Sequence, residues 1–203
     1  FGSASILPIT YGYIKMLGES GLRRATEMAI VNANYMASAL RGEYEVVYTG
    51  ETGRVGHEMI LDLRHFRKEF GVECADIARR LMDYGFHAPT LSFPVHETLM
   101  VEPTESEPKA ELDRFMQALV QIKRECEEIR DGQADAEDNV VKMAPHTAGE
   151  ACADVWPHPY GREKAVFPLR WVRENKFFPY VTKIDGGYGD RNLCCTCGSL
   201  SEE

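Results

Sequence analysis

The chain has 203 residues, of which 44% are hydrophobic and 27% charged, and its formal net charge is −9 at pH 7. These proportions are those of a globular protein, and the acidic balance argues against a nucleic-acid surface, which relies on clustered Lys and Arg. No apolar run reaches the ~18 residues that a membrane-spanning helix needs, so we expect neither nucleic acid nor a membrane as a partner.

Two helices are predicted at the beginning of the chain. Residues 6–17 are apolar, with Pro8 tolerated in the first turn, and Gly18 and Gly21 then interrupt them. A longer helix follows from Leu22 to about Leu40, because apolar residues recur there at spacings of three and four. Its inward stripe comprises Leu22, Ala25, Ala29, Ala33, Met36 and Leu40. The apolar face of residues 6–17 has no obvious partner within the chain, so we expect it to be exposed.

Strands and helices then alternate up to residue 132. Three strands are predicted, at Tyr44–Tyr48, Met59–Leu63 and Thr98–Val101. One helix is predicted over Cys74–Tyr84, and another is expected to open with a capping box at Thr104–Glu107. That last helix would bury Leu112, Phe115, Met116, Leu119 and Ile122. The alternation predicts an α/β module with a small sheet covered by helices.

The flanking segments differ from this module. Residues 133–203 combine Pro, aromatic residues and isolated charges without a clean period, and aromatic-rich segments are seldom disordered. We therefore expect an extended tail lying across another surface. Residues 1–21 begin at Phe1 rather than Met, and we interpret them as a link to an earlier part of a longer chain.

Few residues point to chemistry by themselves. Glu102 ends a strand beside Pro103, where loops often carry function, whereas Glu105 and Glu107 are explained by a helix N-terminus. His87 is held in an extended turn between a glycine and a proline, although a lone histidine is more often structural. The histidines and cysteines lack metal-ligand spacing, so no metal site is expected.

The cysteines indicate a reducing compartment. Six are present, scattered apart from the last three, which is unlike a secreted disulfide framework. Cys195 and Cys197 form a CxC pair, for which inert thiols are the default and redox sensitivity the alternative.

Several long strings together resemble one enzyme family across essentially the whole chain. They are FGSASILPI, NANYMA, GHEMILDLR, DYGFHAPTLSFPV, TLMVEPTESEPKAELDRF, KMAPHT and NKFFPYVTKIDGGYGDRNLCCTC. In these strings the sequence resembles the C-terminal part of the glycine decarboxylases, the pyridoxal-phosphate-dependent proteins of the glycine cleavage system. Gly161 and Cys194 depart from the usual family pattern in the tail, without affecting the resemblance.

The resemblance implies the C-terminal small domain of a fold type I pyridoxal-phosphate enzyme, over residues 22–132. It also implies that the lysine carrying the cofactor lies upstream, since neither Lys15 nor Lys183 has the family's glycine- and histidine-rich context. The chain alone is therefore expected to be inactive. The implied partners are glycine, lipoylated H-protein, the upstream catalytic domain and a second copy in a homodimer. The implied compartment is the mitochondrial matrix, or the cytoplasm of a bacterium.

The resemblance also suggests site residues. Gly2, Ser3 and Ser5 would contact the cofactor phosphate or a neighbouring subunit, with tight packing at a domain junction as the alternative. The substrate channel would be lined by His87, Thr90, Glu102 and Thr104. Cys195 and Cys197 would respond to redox state and gate the site. No catalytic lysine is assigned within the chain.

Two other functions stay open from the sequence. The chain would be part of another fold type I amino-acid decarboxylase if it failed to act with a lipoylated carrier. It would be a non-catalytic interaction module if it folded alone as a monomer.

Overall fold

A computed structural model describes residues 2–194, and its first element is one long helix with a kink. Helix α1 spans Ile6–Ala39, and Gly18 within it has φ 62° and ψ −176°. A positive φ favours glycine, so this residue permits the change of direction. The two predicted helices therefore meet directly, with no loop between them, and Gly21 lies inside the helix rather than ending it.

Only the second half of α1 contributes to the core. Asn32, Ala33 and Met36 are buried. The first half is exposed, as the sequence predicted, and Leu7, Ile9 and Met16 leave 70%, 71% and 87% of their surface accessible. Exposed apolar surfaces of this kind are typical of interaction sites.

The sheet has four antiparallel strands in the order β1-β2-β4-β3. They span Glu45–Val46 (β1), Met59–Asp62 (β2), Thr90–Leu91 (β3) and Thr98–Val101 (β4). The central strands, β2 and β4, were predicted, and β4 has the predicted bounds. β1 is shorter than the predicted strand. β3 was missed because Pro89 and Pro94 were expected to interrupt any ladder. Both prolines lie outside its two paired residues, as is usual for a short edge strand.

Three helices pack around this sheet. They are α2 (Arg64–Phe70), which the sequence reading missed, α3 (Cys74–Asp83) and α4 (Lys109–Arg130). The capping box predicted at Thr104–Glu107 was wrong, because α4 begins after Pro108. A residue before proline is disfavoured in helical conformation, so Glu107 cannot open the helix. The Thr104 hydroxyl instead accepts a hydrogen bond from the Ser106 amide, at 3.2 Å.

The core lies between the sheet and these helices. Its centre consists of side chains with no accessible surface, among them Leu61, Leu63, Phe66, Ile77, Leu81, Leu99, Leu119 and Ile122. Tyr44 stacks on Phe66 with ring centroids 5.7 Å apart, and its hydroxyl donates to the Leu119 carbonyl at 2.7 Å. The α/β fold expected from the sequence is therefore confirmed.

The segment after residue 132 contains four short helices within its described part. They are α5 (Ala148–Cys152), α6 (Arg162–Val166), α7 (Arg170–Glu174) and α8 (Gly186–Arg191). We call residues 133–194 the C-terminal arm. Val141, Ala165 and Val172 of this arm are buried against the same chain rather than another. The division of the chain at residue 132 stays a prediction. Between residues 2 and 194, no helix has the length and apolar character needed to span a membrane.

Candidate functional site

Three of the predicted channel residues meet at one cavity beside the end of the sheet. We call it the strand-end cavity, and its volume is about 380 Å³. It is lined by Met36, residues 86–90 and 100–103, Glu107, Glu111, Leu112 and Phe115. β3 supplies Thr90, β4 leads directly into Glu102, and the turn after α3 supplies His87. The pairing of Thr90 with Met100 holds the two strand ends together.

The strand-end cavity combines an apolar floor with a polar rim. Phe86 and Phe115 meet edge to face at 5.2 Å. Arg114 lies over the Phe86 ring and binds the Glu111 carboxylate at 2.6 Å, which neutralises that acid. Glu102 keeps half of its side chain exposed, and His57 Nε2 lies 4.0 Å from its carboxylate. The cavity therefore suits an amphipathic ligand whose polar end stays at the rim.

The fourth predicted channel residue, Thr104, does not line this cavity. Its carbonyl accepts a hydrogen bond from Asn32 Nδ2 at 2.9 Å, which ties the loop to α1. Its φ is 56°, in the left-handed region that a threonine seldom adopts. The role predicted for Thr104 in a channel stays a prediction, and the structure gives it a contact that positions the loop.

The predicted phosphate contacts lie at the start of α1, away from the sheet. Ser3 and Ser5 are exposed, with their hydroxyl oxygens 2.8 Å apart. A Cβ built on Gly2 would meet no atom within 4 Å, so no close approach requires glycine there among residues 2–194. The two hydroxyls are groups that a phosphate would accept bonds from, whereas the Ile6 and Leu7 amides at the start of α1 donate to the Ser3 and Ala4 carbonyls. Cys195 and Cys197 lie outside the described residues.

The sequence reading missed a buried ionic network that joins α3, α4 and the C-terminal arm. Arg80 of α3 has no accessible side-chain surface, and it binds Glu125 of α4 through two bonds of 2.9 and 2.7 Å. Its other nitrogen binds Asp83 at 2.8 Å and the Ala165 carbonyl at 2.7 Å. The Tyr84 hydroxyl donates to Glu125 at 3.0 Å. One signal existed: Arg80 lies three residues after Ile77, on the apolar stripe of its helix.

His146 connects the arm to this network. Its Nδ1 lies 2.8 Å from Asp83 Oδ2, and its backbone amide donates to Asp83 Oδ1 at 2.7 Å. On the other side of the ring, Nε2 lies 2.9 Å from the Tyr160 hydroxyl. Burial opposes the ionisation of Asp83, but the hydrogen bond from His146 and the charge of Arg80 outweigh it, so the pKa of Asp83 is lowered. The carboxylate therefore stays charged inside the protein.

Lys176 reaches the same region from the segment of the arm between α7 and α8. Its ammonium donates to the Asp83 carbonyl at 2.5 Å. Burial disfavours the charged amine and lowers the pKa of Lys176 to about 8, although the Asp83 charge acts in the opposite direction. Among residues 2–194, no three His, Cys, Asp or Glu side chains gather as a metal site would need.

Because its pKa is lowered in the folded protein, Lys176 is expected to make the free energy of unfolding rise with pH in the alkaline range. Between about pH 8 and 10.5, the unfolded lysine holds a proton that the folded one releases. The contribution of Lys176 to stability is therefore complete above about pH 10.5, the pKa of the unfolded lysine. It is lost as the pH falls through about 8, the pKa of Lys176 in the folded protein. We expect Lys176→Met to remove this rise in a comparison of unfolding free energies across that range. An equally steep rise in the variant would contradict the assignment, and Lys68→Met, on an exposed helix position, is the control.

Comparison with known proteins decides the family. Residues 25–146 match the family model described as glycine dehydrogenase, C-terminal domain. The chain belongs to this family. The matched residues include all those that line the strand-end cavity. They also include Arg80, Glu125 and His146 of the buried network.

Individual relatives can be aligned with nearly the whole chain. It is 52% identical over 202 residues to a protein of Bdellovibrio bacteriovorus named glycine dehydrogenase (decarboxylating), which covers 100% of the chain. Proteins of the same name from Flavobacterium johnsoniae and Bordetella avium are 57% and 55% identical, over 98% and 97% of the chain. In each case the chain spans 21% of the relative's length. The resemblance noted in the sequence is therefore confirmed as a family relationship.

Proposed function

We propose that this chain is the C-terminal portion of a pyridoxal-phosphate-dependent glycine decarboxylase that passes an aminomethyl group to a lipoylated carrier protein. The observation that carries the proposal is the identity of more than half, over nearly the whole chain, to proteins named glycine dehydrogenase (decarboxylating). Because those proteins are about five times longer, we assign the reaction to the complete protein rather than to these residues alone. A mitochondrial or bacterial cytoplasmic location stays a prediction.

We assign the phosphate of pyridoxal phosphate to the start of α1. The exposed hydroxyls of Ser3 and Ser5 would donate hydrogen bonds to it. When bound, the cofactor would withdraw the electrons that remain as the glycine carboxylate leaves. Lys15 projects from α1 over the Tyr11 ring, with Nζ 5.9 Å from its centroid, and we assign no covalent role to it. The lysine that binds the cofactor is proposed to lie elsewhere in the longer protein.

We assign the strand-end cavity to the approach of substrates. Its apolar floor of Phe86, Phe115 and Met36 would exclude water and hold the aliphatic part of a lipoyl arm. His87, Thr90 and Glu102 at the rim would orient the polar end of the arm or the amino group of glycine. These are positioning roles, since nothing places the reacting atoms within this chain.

The exposed first half of α1 supports the dependence on further residues. Apolar side chains such as Leu7 and Met16 would be covered by the upstream domain or by a second copy in a homodimer. This covering would also bring Ser3 and Ser5 into the enzyme interior. We favour the enzyme over a non-catalytic interaction module because of the identity to proteins named glycine dehydrogenase (decarboxylating).

The decisive experiment uses the full-length protein. With excess pyridoxal phosphate and borohydride, we expect one lysine outside these residues to be labelled, and we expect release of CO2 from glycine to require a lipoylated carrier. Labelling of Lys15 or Lys183 would overturn the assignment of the cofactor lysine. Release of CO2 from another amino acid but not from glycine would favour a different decarboxylase.

The role of the strand-end cavity is tested by filling it. Thr90 is exposed on an edge strand, so Thr90→Trp places an indole at the cavity without altering the core. We expect the carrier-dependent kcat/KM to fall about tenfold or more, equivalent to ~1.4 kcal/mol in the barrier. The cofactor absorbance should stay unchanged, because Ser3 and Ser5 are not affected.

The matched control is Thr182→Trp, which adds the same side chain at an exposed position of the C-terminal arm. It should keep the activity of the unmodified protein. If Thr90→Trp also kept that activity, the cavity would not be on the path of either substrate.

A further inference from the structure

A second cavity lies beside β1, at the opposite edge of the sheet from β3, and the proposed function does not involve it. We call it the arginine cavity, since Arg41 and Arg54 both line it, and its volume is about 530 Å³. Arg41 follows the end of α1, and Arg54 lies in the loop that joins β1 to β2. Ser38, Thr49 and Thr52 line the space between them and supply hydroxyl groups.

The walls of the arginine cavity are held in place by hydrogen bonds. The Asn34 amide donates to the Val55 carbonyl at 2.8 Å and accepts from the Val55 amide at 3.0 Å. This pair fastens the loop carrying Arg54 to the helix that precedes Arg41. Within the loop, the Gly50 amide donates to the Arg54 carbonyl at 2.8 Å, which closes a turn. The cavity is therefore a built feature rather than a gap beside a free loop.

Within the part of the chain that the structure describes, neither Arg41 nor Arg54 forms an ion pair at hydrogen-bonding distance. Glu45 is the carboxylate that lines the cavity, which leaves one positive charge in excess. On a chain with net charge −9, this is a local site of attraction for anions.

We propose that the arginine cavity binds a small phosphate monoester that also carries a hydroxyl group. A tetrahedral phosphate monoester has three free oxygens and a charge between one and two, so it accepts bonds from two guanidinium groups and matches their charge better than a singly charged carboxylate does. The hydroxyls of Ser38, Thr49 and Thr52 add neutral donors to the same group. Glu45 is an acceptor, so it selects a ligand with a hydrogen-bond donor beside its phosphate.

The first test measures the accessibility of the arginines in the purified protein, with any residues that adjoin this chain left in place. Phenylglyoxal modification is followed by mass spectrometry in the presence of glycerol 3-phosphate. We expect modification of Arg41 and Arg54 to slow about fivefold, while Arg24, exposed on α1, is unaffected. Equal slowing at Arg24, or no slowing at Arg41 and Arg54, would overturn the proposal.

The second test measures affinity by titration calorimetry with glycerol 3-phosphate, inorganic phosphate and acetate. Arg41→Gln and Arg54→Gln should each weaken the binding of glycerol 3-phosphate about tenfold, with Arg24→Gln as the matched control. Glu45→Gln should reduce the preference for glycerol 3-phosphate over inorganic phosphate. Acetate binding as tight as that of the phosphates would contradict the proposal.

The same titrations on the holoenzyme, after removal of free pyridoxal phosphate, separate this site from the cofactor site, because free cofactor is itself a phosphate monoester with a hydroxyl group. The proposal requires binding of glycerol 3-phosphate to persist in the holoenzyme, with Arg41 and Arg54 still protected. Loss of that binding when the cofactor site is filled would mean that the arginine cavity is not an independent site. A failure of the proposed decarboxylation would leave this test unaffected, because it reads binding at named arginines.

Discussion

Arg80→Leu is expected to lower the free energy of unfolding by about 3–5 kcal/mol, the cost of removing one partner from a buried ion pair. Arg80, Asp83 and Glu125 have no accessible side-chain surface, so the two carboxylates would lose their counter-charge inside the core. The variant would also release the carbonyls of Lys164 and Ala165, which Arg80 binds at 3.0 and 2.7 Å. Urea unfolding followed by circular dichroism measures the loss.

An exposed ion pair supplies the control for this prediction. Arg23 binds Glu27 one turn along α1, and its side chain is 81% exposed. Arg23→Leu should cost no more than ~0.5 kcal/mol, because water screens such a pair. The double variant Arg80→Leu with Glu125→Leu should lose less than the sum of the two single changes, since both charges of the pair are removed together. A cost for Arg80→Leu as small as that for Arg23→Leu would show that the buried network does not stabilise the fold.

His146→Leu is expected to destabilise the protein by about 2–3 kcal/mol and to loosen the C-terminal arm first. The change removes the buried ring contact with Asp83 and leaves the half-buried Tyr160 hydroxyl without its partner. The domain core from α2 to α4 keeps its own contacts. We therefore expect limited proteolysis to cut the arm after residue 146 faster, while fragments of the core persist.

His96 provides the matched control for this change. Its side chain is 82% exposed and lies 3.7 Å from Glu97, so His96→Leu should leave both stability and cleavage nearly unchanged. If His146→Leu accelerated cleavage of the core and the arm equally, the arm would be an inseparable part of one cooperative unit. If neither changed, the contacts of His146 would not hold the arm in place.

The comparison of sequence and structure is clearest in the sheet and its helices. β2 and β4 were found because their apolar residues are local and continuous, and their burial follows from that composition. β3 consists of two exposed residues, Thr90 and Leu91, and its identity as a strand depends on the partner that it bonds. The partner of such a strand cannot be identified from the pattern of residues along the chain.

The candidate sites divide in the same way. His87, Thr90 and Glu102 were selected from local context and family resemblance, and the fold brings them to one cavity. The arginine cavity was not found, because Arg41 and Arg54 stand in segments without any motif and meet only when the loop folds back on α1. The buried network had one local sign, the arginine on the apolar stripe of α3. Its partners on α4 and the C-terminal arm, Glu125 and the Ala165 carbonyl, lie 45 and 85 positions further on.

By itself, the sequence determined the family, the α/β class, the central strands and the exposure of the first half of α1. Those properties depend on residue identity and on local periodicity, which each segment carries alone. The tertiary structure decided where the arm lies, which charges are buried and which distant side chains form cavities. The physical reason is that burial of a charge such as Arg80 is tolerated only when carboxylates from other elements reach it, and that condition exists only in the folded chain.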